Sequence, residues 1–257
     1  MSLFTIITIN KNNSFGLRKT IDSVLSQTYK DFEYFIIDGD SSDDSVDVIK
    51  QYYLSKSINL KYISEPDTGI YNAMNKGIHN TSGDFLLFLN SGDIFNDKNV
   101  LEECGKLIKD DAELCSGILT LIEKGKEFVL YPPNELSLYQ MMFSGLTHPN
   151  TFIRRSLFGK YGPYNERNKI VSDWEFFLIA GGLNKCNYQS LDVKIARFIN
   201  DGISSNPSSP LIINETNQAI ERLIPKPILK DINRLHEFET SHSKKSRASV
   251  LINRFFL

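Results

Sequence analysis

The sequence predicts an α/β fold: a single Rossmann-like mixed sheet flanked by helices, with a C-terminal helical extension. Short apolar runs alternate with helix-period stretches through the first hundred residues. Three of those runs stop in Asn- or Asp-rich loops, and after Asp93 the pattern changes to that of a hairpin.

Leu3 to Ile9 is a β-branched apolar run and forms the first strand, ending in Asn10-Lys11-Asn12-Asn13-Ser14. Asn13 or Ser14 caps a helix that carries Leu17, Ile21, Val24 and Leu25 at helical spacing. Phe32 to Ile37 is the second strand and stops at Asp38-Gly39-Asp40. Ser42 or Asp43 caps the next helix, with Val46, Ile49 and Tyr53 on its apolar side. Leu60 to Ser64 is a short third strand, and Gly69 to Ile78 a helix. Phe85 to Leu89, five apolar residues in a row, reads as a strand buried on both faces. It stops abruptly at Asn90-Ser91-Gly92-Asp93.

Parallel strands joined by right-handed crossovers place the three polar loops on one edge of the sheet, where α/β proteins bind ligands. A carboxylate there suits a divalent cation that holds a phosphate, although Ser91-Gly92-Asp93 also reads as a simple turn. No Gly-x-Gly-x-x-Gly follows the first strand and no Gly-Lys-Ser/Thr occurs, which excludes a dinucleotide fold and a P-loop.

Past Asp93, Val100 to Ile108 is a helix capped by Asp97, and Leu114 to Ile122 with Phe128 to Tyr131 an antiparallel hairpin. Leu136 to Phe143 is a weak helix, Thr151 to Ile153 a strand, Ser172 to Leu178 a helix and Val193 to Ile199 a last strand. Ser204 to Pro210 is a linker by composition, followed by helices over Glu215 to Leu223 and Ile228 to Glu239. The expected division is 1–205 for the main domain and 206–257 for the extension. Within the domain, 1–99 and 100–205 form two halves.

A hydrophobic content of 41% fits a soluble globular protein, and a net charge of −2 points to no nucleic-acid partner, although the C-terminal end is locally basic. Cys104, Cys115 and Cys186 lack metal-ligand spacing and read as buried thiols in a reducing compartment. The expectation is a cytoplasmic protein, with no apolar run near the roughly 20 residues of a membrane span.

With these motifs placed, the chain resembles a family 2 glycosyltransferase with a GT-A fold, over about residues 3 to 205, of the kind that assembles bacterial surface polysaccharides. The likeness rests on Ile6 to Asn12, Ile36 to Asp43, Ser64 to Ile78, Leu89 to Asp93, His148 to Phe152 and Ser172 to Glu175, in that order. Asn90 and Gly92 stand where many members carry carboxylates, which leaves Asp93 as the one acid of the metal loop.

The resemblance implies that Asp38 accepts from uracil or ribose beside Asn10; capping the next helix is the other reading. It implies that Asp93 ligates Mn2+ or Mg2+ bridging the diphosphate, with Asn90 and Gly92 next to the donor. Asp67 either touches the nucleotide or begins a helix. By the same resemblance Asp173 is the catalytic base, with His148, Trp174 and Glu175 on the acceptor side and Glu175 the next candidate base. Trp174 either stacks on a sugar or belongs to the core, His148 serves acceptor or phosphate or is structural, and Arg154 and Arg155 meet diphosphate or are surface charges.

The function so implied is inverting transfer from a nucleotide sugar, UDP-linked, to a hydroxyl of a glycan or polyprenyl-linked acceptor in polysaccharide or lipopolysaccharide synthesis. The alternative is a non-catalytic nucleotide- or glycan-binding relative with a depleted metal motif. A nucleotidyltransferase would require a Gly-rich loop where Asn10-Lys11-Asn12-Asn13 stands. The tail from Lys244 to Leu257 interleaves basic and apolar residues, and either lies peripherally on an anionic membrane or docks as a closing helix.

Overall fold

Apolar runs without polar alternation form the centre of the sheet, because their strands are covered on both faces. The computed structural model describes residues 2–55, 60–200 and 208–243. β1 (Phe4–Asn10) and β2 (Phe32–Asp38) are buried at every position, as is β4 (Phe85–Phe88), while β3 (Leu60–Ser64) is mostly half-exposed. Between them lie α1 (Ser14–Leu25), α2 (Ser45–Ser55) and α3 (Ile70–His79).

The second half adds β5 (Ile94–Phe95), α4 (Val100–Leu107), β6 (Leu114–Glu123), β7 (Lys126–Leu130) and α5 (Leu138–Phe143). A turn of 3-10 helix at His148–Asn150 leads into β8 (Thr151–Arg154), α6 (Ser156–Tyr161) and α7 (Ser172–Phe177). A π-helical stretch, Leu178–Leu183, extends α7, and β9 (Tyr188–Ile199), α8 (Pro210–Leu223) and α9 (Lys226–Ser243) follow.

All strands join one nine-stranded sheet in the order β3-β2-β1-β4-β8-β6-β9-β5, with β7 paired to β6. The first four are parallel, with Asn10 opposite Asp38 and Asp38 opposite Ser64, so their polar ends share one edge as expected. β8 enters antiparallel between β4 and β6, which makes the sheet mixed and brings the two halves of the chain side by side. One apolar cluster lies on each face, and the three cysteines are buried free thiols.

Several local expectations need correction. α2 buries Ser45, Val48 and Ile49, whereas Tyr53 is half-exposed and packs edge-on against Tyr62. Asp97 does not cap α4; its carboxylate accepts from the amide of Asn99, the residue just before the helix. The last strand begins five residues before Val193, and α6 and the two-residue β5 had no local signal. Part of the compositional linker and the whole basic tail, 244–257, lie outside the described residues. Among the described residues no helix is long and apolar enough to cross a membrane.

Arg154 and Arg155 meet neither reading given to them. Arg154 donates to the Ala112 carbonyl and lies over the Phe85 ring. Arg155 donates to the Gly83 and Ile78 carbonyls and to Thr81 Oγ1, tying down the loop that feeds β4 from its N-terminal end. Their positive charges spend themselves on backbone acceptors away from the polar edge. Arg155→Ala leaves those acceptors unmet, and urea unfolding should show a loss of about 2–3 kcal/mol.

Candidate active site

The edge where β1, β2 and β4 end is built around buried carboxylates and amides. Asp38 is fully buried and accepts from Asn10 Nδ2 at 2.7 Å, from the Ser41 amide at 3.0 Å, and from Ser41 Oγ and Ser64 Oγ at 2.6 and 2.8 Å. Burial pushes this carboxyl up, and the hydrogen bonds from Ser41, Asn10 and Ser64 outweigh it, so its pKa lies below the ordinary value. A carboxylate only accepts, so the Asn10 amide must turn its NH2 to Asp38. That orientation leaves Asn10 Oδ1 as a buried acceptor with no protein partner. Asp67 comes to the same place: a Cβ on Gly39 would lie 2.2 Å from its Oδ2, so any larger residue there would make that carboxylate shift away from the Asp38 loop.

The loop after β4 is fastened to the start of α1. Asn13 caps the helix by accepting from the Gly16 amide and donates to the Ser91 carbonyl. Thr20 Oγ1 accepts from the Gly92 amide at 2.9 Å and reaches the Asp93 carbonyl at 2.8 Å. Gly92 has φ +106°, a conformation that other residues adopt only under strain, so the turn requires glycine. Asp93 is buried just behind it, its amide bonded to the Asn90 carbonyl. Asn13 is the cap the sequence offered, but its hold on Ser91, and Thr20 altogether, were not read there, since nothing local marks such a residue as the anchor of a distant loop.

Asn90 connects this loop to His148 and Asp173. Its Nδ2 lies 3.1 Å from His148 Nε2, His148 Nδ1 lies 2.9 Å from Asp173 Oδ2, and Tyr71 Oη lies 2.7 Å from Asp173 Oδ1. For His148, burial pulls the pKa down, but the bond to Asp173 and the charges of Asp173 and Asp93 raise it above the usual value. For Asp173, burial pushes up, while the hydrogen bond and charge of His148 and the Tyr71 hydroxyl bring it below the ordinary range. Tyr71, pushed far up by burial and then by the charge of Asp173, keeps its proton and donates.

The Asp173 end of the chain is held from outside the sheet. Asn75 and Asn72 of α3 donate to the Glu166 carboxylate. The buried Glu215 of α8 accepts from the backbone amides of Lys169, Ile170 and Val171, the residues just before α7. Tyr71, Glu166 and Glu215 were missed in the sequence, because their partners lie far away in the chain. Two residues assigned to the acceptor side do not join the cluster. The Glu175 carboxylate pairs with Arg222 at 2.7 Å and Asn168 at 2.8 Å, so it is no reserve base. Trp174 is buried with its ring N–H on the Met141 carbonyl, which favours the core reading over a sugar platform.

Among the described residues no three His, Cys, Asp or Glu side chains converge as a metal site. The oxygens available in the loop are nonetheless of the hard type that Mn2+ and Mg2+ prefer: the Asp93 carboxylate and Asn90 Oδ1, a buried acceptor with no protein partner. Such a pair fits a cation whose remaining ligands come from a diphosphate and water.

Residues 5–165 match the family described as Glycosyl transferase family 2. A PGL/p-HBAD biosynthesis glycosyltransferase of Mycobacterium bovis is 30% identical over 177 residues, 68% of each chain. Among solved structures, S. aureus TarS 1-349 in complex with UDP-GlcNAc superposes with a TM-score of 0.69 at 19% identity, over 96% of this chain and 74% of that one. Of the longer TarS chain it spans 45%. A mannosyltransferase, PcManGT of Pyrobaculum calidifontis, in complex with GDP-Man and Mn2+, gives a TM-score of 0.61 at 12% identity, over 82% and 59%. These likenesses show the fold, a GT-A arrangement with a mixed sheet flanked by helices.

The Asp38 network makes a measurable demand. Asp38→Asn sets an NH2 group against Asn10 Nδ2 or the Ser41 amide, and stability at pH 7 should fall by about 1–3 kcal/mol. Because the folded-state pKa is depressed, the wild-type advantage is present above the unfolded value of about 4. It is lost as pH falls through the folded value. Urea titrations at pH 7 and pH 3 should therefore show the gap between the two proteins closing in acid.

Proposed function

This chain belongs to glycosyl transferase family 2, and from its site geometry we propose inverting transfer of a sugar from a UDP-sugar to a glycan or lipid-linked glycan hydroxyl. The observation that carries the reading is the hydrogen-bonded line Asn90–His148–Asp173, which joins the loop after β4 to the start of α7.

In this reading Asn10 Oδ1 accepts from the nucleobase or ribose, while Asp38 sets the amide orientation instead of meeting the nucleotide directly. Asp67 lies at the same edge, beside the nucleoside. Asp93 and Asn90 would hold Mn2+ or Mg2+, which when bound would supply positive charge to the departing diphosphate. Complexes of solved neighbours with UDP-GlcNAc and with Mn2+ support both choices.

Asp173 takes the proton of the attacking hydroxyl. Each carboxylate oxygen has two lone pairs, so the bonds to Tyr71 and His148 leave acceptor capacity for a substrate O–H. Its depressed pKa makes it a weak base toward a resting alcohol. Proton transfer therefore comes late, once the forming C–O bond has acidified the hydroxyl. His148 orients the carboxylate and shares its charge. A single displacement with one base inverts the anomeric centre and needs no second carboxylate as nucleophile. The setting of this reading is polysaccharide or lipopolysaccharide synthesis.

Screening nucleotide sugars for UDP release with Mn2+ tests the activity. Asp173→Asn should keep UDP affinity and lose on the order of a hundredfold or more in rate; a rate within a few-fold of wild type would place the base elsewhere. Asp93→Asn should remove the Mn2+ dependence of UDP binding in calorimetry, and retention of that dependence would move the metal away from this loop. Metal-dependent UDP binding without turnover on any acceptor would instead favour the non-catalytic alternative.

A further inference from the structure

His148 and Asp173 also border a pocket that none of the donor-loop residues Asn10, Asp38, Asp67, Asn90 or Asp93 lines. Its wall is mainly apolar, with Leu119 and Leu121 of β6, Leu130 of β7, Phe198 of β9 and Ile212 of α8, and Trp174 with three small polar side chains completes it. It holds about 140 Å³ and is partly open to solvent. A cavity of about 150 Å³ lined by such side chains accepts benzene.

A sugar ring placed here would set hydroxyls against leucine side chains, and each unpaired hydroxyl costs roughly 1–3 kcal/mol. An apolar group of ring size has no such cost and gains from leaving water. The base itself marks where the reacting hydroxyl stands, since Asp173 forms part of the same wall. The pocket is shared between β6 and β7, inside the family match of residues 5–165, and β9 and α8, beyond it.

We propose that the acceptor carries an apolar group about the size of a benzene ring next to its nucleophilic hydroxyl, and that this group fills the pocket while the hydroxyl meets Asp173. The inference rests on the transferase reading, because it makes the pocket the acceptor side of that reaction.

Calorimetry of the full chain with UDP and Mn2+ present provides the test, with phenyl β-D-glucopyranoside and methyl β-D-glucopyranoside as probes. The phenyl glycoside should bind at least about tenfold more tightly. Thr216→Trp on α8 and Leu130→Trp on β7 each fill the pocket from a different element. Either should erase the difference while UDP affinity stays unchanged. Two elements are used so that one misfolded variant leaves the other to decide.

Equal binding of the two glycosides in a protein that binds UDP would overturn the pocket assignment and leave the transferase reading intact. A phenyl preference that persists in both Trp variants would likewise overturn it. Decyl β-D-glucopyranoside binding a further hundredfold more tightly would identify a long lipid chain and overturn the ring-sized occupant. Failure of the wild-type chain to bind UDP would remove the donor site, and with it the assignment of this pocket to an acceptor.

Discussion

One half-buried carboxylate sets the terms for this edge. Asp173 is largely withdrawn from water, and a charge so placed is best tolerated when both oxygens are bonded. Tyr71 comes from α3 in the first half of the sequence and His148 from the turn before β8. Meeting that requirement therefore fixes three remote segments against one another. His148 then carries the constraint on to Asn90, so the geometry of the loop after β4 is tied to the same charge.

The same logic explains what the C-terminal helices do. A loop entering α7 presents backbone amides with no sheet partner, and buried amides must be bonded somewhere. Glu215 accepts three of them, and Arg222 on the same helix neutralises Glu175 of α7. α8 is thus part of how Asp173 is positioned, although it follows a stretch whose composition reads as a linker. His236 of α9 stacks on Phe143 at 3.8 Å and hydrogen-bonds Tyr139, which fastens the next helix to α5.

Strands covered on both faces were legible in the sequence because burial removes polar alternation, as in Phe4–Asn10 and Phe85–Phe88. The gathering of Asn10, Asp38 and Asp93 on one edge followed from parallel pairing alone. The start of β9 was not legible: Tyr188-Gln189-Ser190 is mostly polar, yet it pairs with buried Leu114, Cys115 and Ser116. Ile94–Phe95 is too short to show any period, and α6 contains a glycine within six residues. At the site, loop residues announced themselves by type and position. Their supports did not, since Tyr71 and Asp173 are separated by 102 residues and no local pattern encodes that pairing. Arg155 was misread for a related reason: a sequence shows its charge but not the carbonyls that absorb it.

The insertion of β8 between β4 and β6 has a consequence for synthesis on the ribosome. Phe85 and Leu86 leave the exit tunnel with one flank ready to pair with β1, but the strand for their other flank, Ile153 and Arg154, is made much later. At about 5–20 residues per second, the roughly 70 intervening residues take some 4–14 s. During that interval the most apolar strand of the nascent chain presents an open edge, the kind of surface that invites pairing with other chains. Chaperone capture of the growing polypeptide should be concentrated between the emergence of β4 and the arrival of β8.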